Sequence, residues 1–358
     1  MATYKSIKYI IPTEAVEHTD SINALADVDT TTVAPSVGQT LKWSAANSRW
    51  QPADLEESAS GTQKAIFGFG DTNVAGNRFS NLTNIVSSTG IVATDTTGVG
   101  TARDYLAASG YGGDKSIFGF GFASGSPSST NVTNLVSNTG VVGSDQTGVG
   151  TARGYLAAAG YGEDKGIFGF GNQYNSVTNL VSNTGVVASD TTGVGSIREQ
   201  LAATGYGVDK AIFGFGLLED GDNTSITNLV SNLGVVASDT TGVGSAIAYL
   251  GAAGYGGDKA IFGFGGGYVN YMITYFNKTN LVSNTGVVSS DVTGVGTARM
   301  WTAASSYGGD KALFGFGITS SYLNTVNLVS NTGVVSSDST GAGTAREGLA
   351  AAGYSTTA

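Results

Sequence analysis

From Lys64 onward the apolar positions fall into short runs that return in register along the chain. The segment Lys-x-(Ile/Leu)-Phe-Gly-Phe-Gly occurs six times, with its lysine at Lys64, Lys115, Lys165, Lys210, Lys259 and Lys311, at spacings of 51, 50, 45, 49 and 52 residues. Each copy is followed by a segment of variable length and then by a near-constant stretch. In the third copy that stretch is Thr178-Asn-Leu-Val-Ser-Asn-Thr-Gly-Val-Val-Ala-Ser-Asp190, then Thr-Thr-Gly-Val-Gly, Arg198 and the Ala-rich segment Leu201–Tyr206. The four apolar runs of a unit are too short for helices, are bounded by turn residues, and are mostly β-branched or aromatic, so they predict strands. Asn-Thr-Gly between the last two runs suits a tight hairpin, because Asn and Gly tolerate positive φ. Four strands in a unit of about 50 residues match a propeller blade. The prediction is an all-β chain forming a six-bladed β-propeller.

The two ends of the array complete one another. The first unit lacks a preceding Leu-Ala-Ala strand, and the chain finishes on one, in Arg346–Tyr354. Pairing them closes the propeller and removes two exposed edges, whereas an open solenoid would need polar capping units. Twelve of the 15 phenylalanines occupy the paired Phe slots. Strand alternation puts Phe67 and Phe69 on one face and the glycines on the other, so that rings of one blade fill the space left by glycines of the next. The Ala-rich strand suits the crowded centre. An Asp ends each Val-Val run (Asp95, Asp145, Asp190, Asp239, Asp291, Asp338), and an Arg stands at 103, 153, 198, 299 and 346, with Ile247 in the remaining slot. Repetition on this scale points to structural ion pairs or turn hydrogen bonds.

Composition narrows the chemistry. There are no cysteines, so no disulfide framework, thiolate nucleophile or Cys-ligated zinc. The single histidine, His18, leaves no His-rich metal site or Ser-His-Asp triad within the repeats. Charged residues are 12%, with a net charge of −10, which argues against nucleic acid as a partner. No apolar run is long enough to insert in a membrane, and the first residues lack the pattern of a signal peptide. The acidic stretch Glu219–Asn223 lacks the spacing and terminal Glu of a calcium loop, and Gly98-Val-Gly100 and its equivalents precede no helix that would cradle phosphate. No catalytic residue, metal site or cofactor is predicted, and the chain is expected not to be an enzyme.

What varies between copies is more informative. The segments 71–82, 122–132, 172–177, 217–226, 266–278 and 318–325 differ in length and hold the three phenylalanines outside the motif, Phe79, Phe122 and Phe276, with Tyr174, Tyr268, Tyr271, Tyr275 and Tyr322. Aromatics on loops give contact area at low entropy cost, so these eight are the candidate receptor-binding residues. In an antiparallel meander the variable segments share one end of the strands with the Thr-Gly-Val-Gly linkers, away from the end where residues 1–62 join. Those residues stand outside the repeat. Tyr4–Ile11 reads as a strand, while residues 38–43 and 49–52 read as a small hairpin carrying Trp43 and Trp50. So small a module has little core of its own and needs an oligomer or docking partner. Two domains follow, 1–62 for attachment or oligomerisation and 63–358 for the propeller.

The run Ile22-Asn-Ala-Leu-Ala-Asp-Val-Asp29, with Pro35–Trp43 and Arg49-Trp50-Gln-Pro-Ala-Asp54, resembles a short module of phage tail-fibre and other virion structural proteins, especially those of phages of marine cyanobacteria. The Lys-x-Ile-Phe-Gly-Phe-Gly array resembles Kelch-like repeats of such proteins, without the usual Kelch double-Gly and spaced Tyr/Trp pattern. The resemblance implies a non-enzymatic virion appendage, a tail fibre or a head or tail decoration, assembled in the host cytoplasm and exposed on the particle. Its partners would be other virion proteins through residues 1–62, with Trp43 and Trp50 at the attachment site, and a host cell-surface glycan or protein at the loops, in a homo-oligomer. The alternative is a purely structural capsid, collar or tail component whose propeller docks to other virion proteins.

Overall fold

The computed structural model describes residues 28, 39–44, 48–54, 63–74, 77–125, 128–172, 175–269 and 272–356. The chain divides into two compact units, Met1–Ala59 and Ser60–Ala358, a boundary slightly earlier than the sequence suggested. In the first, strands Gln39–Ser44 and Arg49–Asp54 pair antiparallel with Trp43 opposite Trp50, and Val28 bridges to Trp50 in parallel. The expected strand Tyr4–Ile11 lies outside the described residues.

In the second unit every repeat folds the same way. An Ala-rich inner strand pairs with the Phe-Gly strand, which pairs in turn with the Thr-Asn-Leu-Val strand. In one repeat these are Ala157–Tyr161, Lys165–Gly169 and Thr178–Val181. The inner strands are Ala107–Tyr111, Ala157–Tyr161, Ala202–Tyr206, Gly251–Tyr255, Ala303–Tyr307 and Ala350–Ser355. The last belongs to the chain terminus and pairs with Gln63–Gly68 of the first repeat, Ala352 opposite Ile66.

The expected six-bladed propeller of four-stranded blades needs correction. The hydrogen bonds build separate antiparallel sheets of two to four strands, and none is closed on itself. Among the described residues the fourth, Val-Val run forms a regular strand in no repeat and touches its neighbour through isolated bridges such as Val86 to Val92 and Val329 to Val335; the short strand Ser339–Thr340 follows Asp338, beyond that run. A buried asparagine holds this run instead: Asn84 sends its side-chain amide to Ala93 O at 3.0 Å and Asp95 Oδ1 at 2.9 Å.

Neighbouring sheets meet through packing and single turn-to-turn bonds. Each inner strand lies against the next, and Ala350–Ser355 lies against Ala107–Tyr111. Gly162 N donates to Asp209 O at 2.7 Å, and equivalent bonds run from Gly308 to Gln63 (2.8 Å) and from Ser355 to Asp114 (3.0 Å). The inner strands face a narrow space of about 120 Å³ lined by their Ala, Gly, Ser and Thr residues. Small side chains there let six strands approach closely.

The phenylalanines settle into a different arrangement from simple alternation. The strand stops at Gly68, and Phe69 takes a left-handed backbone (φ 67°), as do its five equivalents. That twist turns the second ring to the opposite neighbour. Phe67 packs edge-on against Phe316 at 5.0 Å, while Phe69 packs against Phe118 at 5.2 Å. Each such conformation costs about 1–3 kcal/mol in a non-glycine residue, offset by complete burial of both rings. The expectation that rings fill glycine space holds at the strand glycine: a Cβ on Gly68 would sit 2.8 Å from the Phe118 ring.

The repeated charges latch successive units. Arg153 is fully buried, lies 4.5 Å over the Phe120 ring, and donates to Phe170 O and Asn179 Oδ1. Asp190 accepts from Asn179 and from the backbone and hydroxyl of Thr151 on the preceding linker. Burial pulls the five arginines down to about 10. Where Ile247 replaces the arginine, Lys278 approaches from a variable segment and pairs with Asp291 at 3.0 Å and Ser245 at 2.8 Å. The repeat lysines pair locally instead, for example Lys210 with Asp209 at 2.7 Å.

Candidate functional site

Between each fixed arginine slot and the following inner strand lie two positions that the repeat leaves free. The first holds Asp104, Gly154, Glu199, Ala248, Met300 and Glu347; the second holds Tyr105, Tyr155, Gln200, Tyr249, Trp301 and Gly348. The second set all have positive φ, between 48° and 62°. Each amide from Tyr155 to Trp301 donates to the carbonyl of its predecessor in this set, and Tyr105 donates to Gly348, at 2.7–3.0 Å. Such a chain of backbone bonds forces the side chains to converge.

They meet as an aromatic cluster. Tyr105 lies 4.6 Å from Tyr155 and 4.5 Å from Trp301, and Trp301 lies 4.5 Å from Tyr249. Beneath them is a cavity of about 80 Å³, also lined by Gln200, Thr302 and five leucines. Thr302 stands in the slot that holds leucine elsewhere, and its Oγ1, like Gln200 Oε1, has no hydrogen-bond partner among the described residues.

Charge gathers on one side of the cluster. Arg78 Nε lies 3.0 Å from Asp71 Oδ2 and 2.9 Å from Asp104 Oδ2, with its guanidinium 5.7 Å over Tyr105 and 5.4 Å over Phe79. The Tyr105 hydroxyl donates to Glu347 Oε1 at 3.1 Å. Asp104 is fully buried and Glu347 nearly so. Burial pushes both up to about 7, although Arg78 opposes the shift, and it raises Glu199 as well. Asp104 Oδ1 and Glu347 Oε2 have no partner among the described residues.

The structure relocates several residues expected to form the recognition surface. Phe122 lies over Gly154, where any side chain would collide with it, and packs on Tyr155 at 5.0 Å, so it walls the aromatic cluster. Phe79 carries Arg78. The Tyr322 hydroxyl bonds Asp71, and burial, followed by the nearby Glu347 and Asp71 carboxylates and this bond, raises the phenol to about 12. These three variable segments therefore converge on one place. Tyr275 donates to Thr319 O at 2.9 Å, and Phe276 packs on the core beneath Lys278; both are held as structural contacts. Tyr268 lies in strand Gly266–Val269 opposite Ile273. Tyr174 and Tyr271 lie outside the described residues. Trp50 is 40% exposed on its hairpin.

No family model matches the chain, and no curated protein does. Among solved structures the chain is similar to YjhT, with a TM-score of 0.53 and 12% identity over 70% of this chain and 88% of that one. The likeness is one of fold. No family model supports the comparison with Kelch-like virion repeats.

The aromatic cluster escaped sequence reasoning, although a signal was present. Within an otherwise constant stretch, the two residues after each arginine slot change in every copy. Attention to segments of variable length passed over positions that vary at constant length. Among the described residues, no group of three or more His, Cys, Asp or Glu side chains is arranged to hold a metal, and no helix is long and apolar enough to cross a membrane.

Proposed function

We propose that the protein is a non-enzymatic surface-recognition protein, presenting the axial aromatic cluster and the segments around it to a host-surface glycan or protein. One observation carries this: Arg78, Phe79, Phe122 and Tyr322, each a departure from the repeat, arrive there from three variable segments. Repetition serves stability, and a patch that breaks it with aromatic rings and uncompensated charge suits binding. The non-enzymatic reading is supported by the state of the carboxylates. Asp104 is engaged by Arg78 and Glu347 by Tyr105, so neither stands free as acid or base beside a glycosidic bond. A virion appendage as the setting rests on the resemblance of residues 20–55, with virion partners bound through that region and Trp43 and Trp50.

The test is binding of the labelled full chain to intact candidate host cells, alongside a Phe122→Ser/Tyr249→Ser variant whose melting curve shows that it folds. At least a tenfold loss in the variant is expected. Undiminished binding would move the contact elsewhere.

A structural role, with lateral docking to other virion proteins, is favoured by a different feature. Ile91, Val141, Val186, Val235, Val287 and Val334 occupy equivalent turns and are 64–69% exposed. Isolated apolar residues are ordinary on a surface, but six equivalent ones offer a repeated contact. Replacing all six by Ser disrupts incorporation into particles on this reading and leaves cell binding unchanged.

A further inference from the structure

We propose that the axial cluster takes a protonated amine carried on a saccharide ring, that is, an amino sugar; this deepens the recognition function proposed above and rests on it. The charge balance is the first ground. Asp71, Asp104 and Glu347 gather at one side of the rings, and Arg78 is the cation set among them. Two carboxylate oxygens, Asp104 Oδ1 and Glu347 Oε2, have no donor among the described residues, on side chains more than nine-tenths buried. Thr302 Oγ1, also on a residue more than nine-tenths buried, is without a partner at the wall of the adjoining cavity. Each such group costs about 1–3 kcal/mol while unpaired, and an ammonium brings three donors and a positive charge. Burial first, and then the neighbouring Asp71 carboxylate, raises both carboxyls, and a bound cation would offset that like charge.

The rings point the same way. Arg78 already rests over Tyr105 and Phe79, so this site holds a cation against aromatic faces. Its side chain is 54% exposed and comes from a variable segment, so a ligand amine can take its place beside Asp104 and Asp71. A saccharide carrier fits better than a slender chain. The rings touch one another at 4.5–5.5 Å and leave no cage for a single alkylammonium, and the cavity of about 80 Å³ beside them is too small for a hexose. A sugar lying across the outer surface of Tyr155, Trp301 and Phe122, with its amine directed at the carboxylates, uses both features. Arg78 then acts as a built-in competitor.

The experiment is calorimetric titration of the full chain at low ionic strength and pH 7, where both carboxyls are substantially ionised and the amine is still largely protonated, with two probes of one saccharide backbone, the trisaccharide of glucosamine and its fully N-acetylated counterpart. Affinity at least tenfold higher for the free amine is expected. Arg78→Met should raise that affinity several-fold, and Glu347→Gln should lower it at least tenfold. Equal or tighter binding of the acetylated probe, binding of neither, or weaker amine binding by Arg78→Met would overturn the inference. Arg78→Met decides the matter by itself if Glu347→Gln does not fold. Cell binding by the full chain, lost in Phe122→Ser/Tyr249→Ser, would in those cases keep surface recognition standing without the amine; absence of cell binding as well would sink both.

Discussion

The two ends of the repeat units are built from the same chain on opposite principles. At one end lie the Tyr-Gly-x-Asp-Lys turns, present in five of the six copies, with each of those lysines beside its own aspartate and each turn glycine bonded to the next unit. At the other end the same backbone geometry carries Tyr105, Tyr155, Gln200, Tyr249, Trp301 and Gly348 in equivalent places, with Asp104 and Glu347 buried and short of partners. Backbone conformation is conserved between units while side-chain chemistry is not. The uniform end joins units together, and the varied end is left free to specialise. Positive φ occurs at repeated and varied positions alike; what departs from the repeat at the varied end is side-chain chemistry, as expected when local consistency yields to function.

The sharpest way to break this comparison is to damage a repeated position and a specialised one and compare the losses. Phe168→Ala empties a fully buried slot between Phe120 and Gly119. It should cost about 3–5 kcal/mol in chemical denaturation, whereas Phe122→Ala, half-buried at the varied end, should cost less than about 2 kcal/mol. Equal losses would make the aromatic cluster part of the scaffold.

Next in size is the latch. Asp95→Ala leaves Arg346, fully buried, without its carboxylate at 3.5 Å and frees Thr344. About 2 kcal/mol should be lost, less than the 3–5 kcal/mol for a fully buried pair because Asp95 is partly solvated.

The dependence on pH separates the two ends further. The latch aspartates, including Asp95, Asp145, Asp190, Asp239 and Asp338, are held below their ordinary value by hydrogen bonds from Thr or Ser and Asn and by the arginines, against the opposing pull of burial. Their contribution is complete above about pH 4 and is lost as pH falls below that value. Asp104 and Glu347 act in the opposite sense. Raised to about 7 by burial, they stay protonated in the folded chain while the unfolded chain ionises, so stability declines between about pH 4 and pH 7 and levels off above. Stability should therefore peak near pH 4–5. Asp104→Asn/Glu347→Gln should remove the decline, with a gain of roughly 1–3 kcal/mol at pH 8. Thermal melts across this range check the shape, and an unaltered decline in the double variant would assign it to other groups.

The smallest effect belongs to the exposed turns. Lys210→Ala breaks its pair with Asp209 at a surface position, and no measurable change in melting midpoint is expected, since such pairs contribute little. A marked drop would show that the uniform end depends on its charges as well as its backbone.

Much of this molecule is legible along the chain. Six units, their strands, the pairing of the last inner strand with the first repeat and the inter-unit role of Arg and Asp all follow from spacing and residue type. Those features depend on local periodicity and on identical residues recurring, which a linear pattern records directly. What only the tertiary structure decided lies where backbone conformation overrides strand alternation. The left-handed turn at Phe69 sends the two rings of each motif to opposite neighbours. The asparagine amide at Asn84 holds the fourth run through side-chain bonds to Ala93 and Asp95. The left-handed residues from Tyr105 to Gly348, far apart in sequence, become a single aromatic and acidic site. Sequence by itself determined what each unit is made of. The convergence of six equivalent positions on one place came from packing between units, because neither a positive φ in a tyrosine nor a contact across more than 200 residues leaves a mark on local pattern.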